Sequence, residues 1–157
     1  MITPRRVGVG MMLSFVALTG AWAQQWIFLE FNPHVEAYKL LLRDLVAMRK
    51  ATRLDPVEGA VLDGLINVVP LAVERCNAAR DLLVVLGLVH SEEDKKDVAH
   101  IVRLRLGQHA ESFDELVERA NSNLVHTKSA GTAATAERLK DQLRATKALI
   151  ERFRPPQ

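Results

Sequence analysis

The chain carries a single cysteine, Cys76. No intramolecular disulfide can form, so the disulfide-stapled class of small exported domains is excluded. Aromatic residues make up only 5 % of the chain, and no set of them is spaced as a stacking surface. Alternation of period two never runs long enough to specify a sheet. Val68-Val69 and Val84-Val85 are β-branched, but both lie inside helical periodicity. No internal repeat and no low-complexity tract breaks the pattern.

The motifs that carry chemistry are also missing. Covalent haem attachment needs Cys-x-x-Cys-His, which one cysteine cannot supply. No Gly-x-Ser-x-Gly elbow occurs, and Gly59 and Gly64 lack the lysine and the strand-to-helix context of a phosphate loop. The five histidines are His34, His90, His100, His109 and His126. No two are three or four residues apart, so no helix carries a ready histidine pair for zinc or copper. A di-iron bundle wants two Glu-x-x-His motifs, and the nearest approach is a single Asp97-x-x-His100. No catalytic residue is nominated, the chain is read as a non-enzyme, and no cofactor is expected.

What is present begins with the N-terminus. Arg5 and Arg6 precede an uncharged apolar run, Val7–Thr19, and Ala21-Trp22-Ala23 has the small-x-small form that signal peptidase requires. Residues 1–23 are read as a signal peptide, with Gln24 as the first mature residue and residues 24–157 as one domain. The opposing reading is an uncleaved anchor, because apolar character resumes over Trp26–Phe31. A lipoprotein is disfavoured, since no cysteine lies near the cleavage site. The expected location is periplasmic or secreted.

Removing the leader changes the electrostatic reading. The whole chain has 21 basic and 19 acidic residues. Loss of Arg5 and Arg6 brings the two into balance, so the basic precursor carries no message about nucleic acid, and none is expected as a partner. One local excess remains. Between Glu137 and Arg154, six basic residues face three acidic ones, and this is read first as a solvated helix face.

The mature length suffices for one buried core. Four helical segments are expected. The first follows Asn32-Pro33, where Asn caps and Pro takes the first helical position. Val35, Tyr38, Leu41, Leu42, Leu45 and Met48 then recur on one face, with Trp26–Phe31 as a short apolar lead before the cap. The second opens at Asp55-Pro56, with Glu58 completing a capping box, and runs to Gly87. Pro70 is expected to kink or break it near Asn67–Val69. The third starts at Ser91 and runs to Leu124. The fourth is capped by Thr132 or Thr135 and stopped by Pro155-Pro156. Cys76 falls among alanines and leucines and is read as a small core residue. The fold class is all-α, an up-down-up-down four-helix bundle, with a three-helix arrangement as the alternative if the stretch before Pro70 is irregular.

The function read from this pattern is non-catalytic: protein binding or a structural role in the cell envelope. The partner is an unidentified protein or a second copy of the chain. Membrane contact is expected only through an uncleaved leader or the apolar N-terminal arm. The residues singled out for contact are Trp26, Phe28 and Phe31 in that arm, with Arg144 and Lys147 on the basic last helix. The second reading is a metal or haem carrier built on His109, which lies on the apolar stripe between Leu106 and Phe113, with His100 or Met48 as helper. A small-molecule pocket at the Pro70 kink is a further reading, since bundles can open between helices.

Overall fold

The computed structural model describes residues 20–52 and 55–156, with side chains from residue 24 onward. Most of the expected leader therefore lies outside the described residues. Four helices account for the architecture: α1 (Gly20–Ala51), α2 (Pro56–Leu88), α3 (Glu92–Leu124) and α4 (Ala130–Phe153). No strand occurs among the described residues. The protein is an all-α helical bundle, and the three-helix alternative is set aside.

Each helix packs on its chain neighbours, α4 closes back on α1, and α2 and α4 meet across the centre, while α1 and α3 stay apart. Cross-helix contacts show the direction of each pair. Arg75 on α2 reaches the Ser112 carbonyl on α3, whereas Gly64, earlier on α2, faces Asn123, later on α3. On the other side, Arg152 of α4 pairs with Glu30 of α1, and Arg138 pairs with Asp44. Successive helices are antiparallel, as short connections require.

The core follows the periodic stripes. Tyr38, Leu45, Leu62, Leu65, Leu106, Phe113, Leu116, Leu139, Leu143 and Ile150 are almost fully buried. Cys76 is buried with them, and burial pushes its thiol up to about 11, so it is a protonated packing residue at neutral pH. By length and composition, α2 is apolar enough to cross a membrane. In the bundle its Val61, Leu62, Leu65, Val68, Val69 and Ala72 are spent on the core instead.

Local signals place two helix starts as expected. Asp55 accepts hydrogen bonds from the Val57 and Glu58 amides at 3.0 and 3.1 Å, with Pro56 opening α2. Ser91 caps α3 through the Asp94 amide at 3.4 Å.

Four expectations are corrected. Asn32-Pro33 does not start a helix: α1 begins at Gly20 and carries Pro33 in its interior. A proline inside a helix costs about 3 kcal/mol. The helix survives because Ile27 and Phe31, one turn apart on the same face just before the proline, enter the core, each adding about 1.5–3 kcal/mol. Pro33 itself is exposed, and so is Leu29, the residue whose carbonyl it orphans, so water can serve that oxygen. The same logic applies to Pro70, which is exposed on an uninterrupted α2, and the break expected at Asn67–Val69 is absent.

The third correction concerns α4, which is capped by Ser129, not by Thr132 or Thr135. Ser129 accepts from the Thr132 amide at 3.2 Å, while both threonines are buried inside the first two turns. The fourth concerns Glu58, which does not close a capping box. Its carboxylate turns inward, and Thr127 Oγ1 donates to it at 2.8 Å.

Pro155-Pro156 follows the end of α4 at Phe153 and has a consequence at the scale of the bundle. Phe153 stacks on Phe31 of α1 with centroids 5.8 Å apart, and Arg154 lies over Gly107 of α3. Beyond that level α1, α2 and α3 continue without α4 beside them. Three helices project where a fourth would have covered them.

Candidate binding surfaces

The projecting end is where exposed apolar side chains gather. Among the described residues ten large hydrophobic side chains stand exposed, and seven belong here: Trp26, Phe28 and Leu29 on α1, Val85 and Leu88 on α2, and Ile101 and Leu104 on α3. Scattered single residues would need no explanation, but this concentration does.

The N-terminal arm divides by face. Trp26 is 49 % exposed, and Leu29 is 64 % exposed. Phe28 is half-buried under the Arg80 guanidinium, which sits 4.8 Å from its ring centroid, a cation–π contact. Phe31 is fully buried against Phe153. Phe31 is thus a core residue and offers no surface to a partner, a correction to its place in the expected arm.

Between α2 and α3 lies a shallow groove of about 410 Å³, lined by Ala78, Asp81, Leu82, Val85, Arg105 and His109. His109 is half-buried there. Burial lowers its pKa, and the nearby Arg75 and Arg105 lower it further, so the ring is neutral at pH 7. Two cations beside it also oppose a metal ion. His100 is exposed and nine residues away along α3, roughly 14 Å by helical rise. Met48 sits at the far end of the bundle against Thr135. The helpers expected for His109 are therefore not brought to it, and no group of three His, Cys, Asp or Glu able to hold a metal occurs among the described residues.

A second groove of about 340 Å³ opens on the other half of the same helix pair, flanking the level of Pro70. Gly64, Asn67 and Leu71 face Glu118, Arg119 and Asn123 across it. The Asn123 side chain occupies the space over Gly64, and a Cβ there would displace it.

The basic face of α4 is neutralised within the protein. Arg144 pairs with Asp141 at 3.1 Å, and Lys147 pairs with Asp114 at 2.6 Å and Glu151 at 3.8 Å. The Asp114 hydrogen bond raises the Lys147 pKa. Arg138 and Arg152 are tied to Asp44 and Glu30 on α1, and Lys140 to Glu137 and Asn121. Five of the six basic residues in that stretch are thus paired with carboxylates of α1, α3 and α4 itself.

Two buried polar clusters were not legible beforehand. Where α1 meets α4, His34 Nδ1 lies 2.9 Å from Thr146 Oγ1 and 3.0 Å from Gln142 Nε2, and the Tyr38 hydroxyl lies 2.8 Å from the same Thr146 oxygen. Burial lowers the His34 pKa; Glu30 opposes the shift and Arg152 adds to it. Burial raises the Tyr38 pKa, so the phenol stays protonated. The signal was present as His34 and Tyr38 one helical turn apart and a threonine on the stripe of α4. The other cluster is Glu58. Thr127 Oγ1 reaches both of its oxygens, at 2.8 and 2.9 Å, and the Lys128 amide reaches one at 3.4 Å. Burial would raise its pKa, but the neighbouring Thr132 and Thr127 hydroxyls and the Lys128 amide outweigh burial and hold the carboxyl low. The Thr132 hydroxyl is itself buried without a well-directed partner. The first cluster ties α1 to α4, and the second ties α2 to the connection between α3 and α4.

No family model, no curated protein sequence and no solved structure matches this chain.

Proposed function

We propose that this protein is exported and acts in the cell envelope without catalysis, binding another protein through the projecting end of its bundle. The observation that carries this reading is the gathering of seven exposed apolar side chains where α4 stops short. Such a concentration on a small helical domain is the signature of an interaction surface. The Arg5-Arg6 pair, the apolar run after it and Ala21-Trp22-Ala23 support export.

The test joins location to contact. Fractionation and intact mass of the native protein should find it outside the cytoplasm, starting at Gln24. A photo-crosslinking side chain at Leu29 should give one discrete adduct in living cells, and the same group at the exposed Ala47 should not. Soluble cytosolic chain with an intact Met1, or no adduct from Leu29, would overturn the reading.

A further inference from the structure

We propose that the α2–α3 face docks a second copy of this chain as a two-fold symmetric pair. The inference rests on the binding role above and names the occupant of one of its surfaces.

The face is an apolar groove with opposite charges on its two walls. Leu82 and Val85 line the groove from α2. Ile101 lies one turn before Arg105 on the same stripe of α3, and Leu104 stands three residues on from Ile101. Val85, Ile101 and Leu104 are each more than half exposed, although each is large and apolar. Asp81 borders the groove on α2, and Arg105 borders it on α3.

These two charges do not satisfy each other. Asp81 is held by its sequence neighbour Arg80 at 2.9 Å, with its side chain still 64 % exposed. Arg105 donates to Gln108 Oε1 at 3.2 Å and has no carboxylate within 4.0 Å among the described residues.

A surface with one anion and one cation on opposite sides of an apolar strip is complementary to itself. A two-fold axis through the strip sets Arg105 of each copy against Asp81 of the other and buries both strips. A bilayer is a poorer occupant. Asp81 and the exposed Glu92, Glu93 and Asp94 of the first turn of α3 would face its anionic surface.

The experiment measures the mass of the purified native chain by sedimentation equilibrium across a dilution series. A dimer that dissociates on dilution is expected. Val85→Asp should leave only monomer. Asp81→Arg or Arg105→Asp alone should weaken the dimer about tenfold or more, by setting like charges together. The double exchange, Asp81→Arg with Arg105→Asp, should restore most of the loss. All three positions are at the surface, and circular dichroism with a melting curve confirms that each variant is folded. Monomer at every concentration overturns the proposal. So does an oligomer indifferent to Val85→Asp, or a double exchange no better than the single changes. None of these outcomes touches the adduct expected from Leu29, so the two readings fail separately.

Discussion

The Tyr38 hydroxyl and Thr146 Oγ1 meet 2.8 Å apart in the interior, 108 residues apart in sequence, and join the first helix to the last. Thr146 also donates to the Gln142 carbonyl at 2.9 Å, which leaves its oxygen to accept from the phenol. Thr146→Val keeps the shape and removes the acceptor. A loss of about 1 kcal/mol is expected in chemical denaturation, because the buried phenol keeps only its longer bond to the Gln142 carbonyl at 3.3 Å. Tyr38→Phe in the Thr146→Val background should add less than it does alone, since the two changes share one hydrogen bond.

His34 and His109 both have pKa values below the ordinary 6.5, each chiefly through burial. The unfolded chain therefore binds protons more readily than the folded one. The stability linked to both rings is complete above pH 6.5 and is lost as pH falls below it. The melting temperature should decline between about pH 7 and pH 5, and His34→Gln should flatten that decline. A wild-type melting temperature unchanged across the window would refute the assignment.

Glu58 titrates in the opposite sense of charge but with the same sign of linkage. Its folded pKa lies below the ordinary 4.5, so its stabilising effect is present above that pH and fades as pH falls through the folded value. Thr127→Val removes a hydroxyl that reaches both carboxylate oxygens. The variant should lose about 1–3 kcal/mol at pH 7, and the gap from wild type should shrink toward pH 3 as Glu58 is protonated in both.

The N-terminal arm divides into a core half and a surface half. Phe31→Ala empties a fully buried site against Phe153 and should cost about 3–5 kcal/mol. Leu29→Ser changes an exposed position and should move stability by less than about 0.5 kcal/mol. Equal melting curves for the two variants would show that the arm is not packed as described.

Gly64 and Asn123 form a coupled pair. Gly64→Ala alone gains helix propensity but displaces Asn123, whose amide donates to the Arg119 carbonyl at 2.8 Å. In an Asn123→Ala background the same change should stabilise the protein by about 1 kcal/mol, and a double-mutant cycle reads the difference.

Four helices, their apolar faces and the caps at Asp55 and Ser91 are legible in the amino-acid order, because period and capping act within a few residues. So is the core place of Cys76. The candidate surfaces were legible only in part. Trp26 and Phe31 read alike as aromatic residues of one arm, and His109 read alike as core or ligand. Which of them meets solvent, a stacking partner or a neighbouring arginine depends on helices distant in the chain.

The sequence by itself determined the helical class and the point where α4 stops, since two successive prolines remove two backbone donors and push the residue before them out of the helix. Tertiary structure decided that Pro33 and Pro70 sit inside helices, because core burial on either side outweighs one lost hydrogen bond. It also decided that Glu58 turns inward and that Arg138, Lys147 and Arg152 of α4 meet carboxylates on α1 and α3. Those outcomes depend on lateral contacts between segments dozens of residues apart, and no local pattern encodes which segments become neighbours.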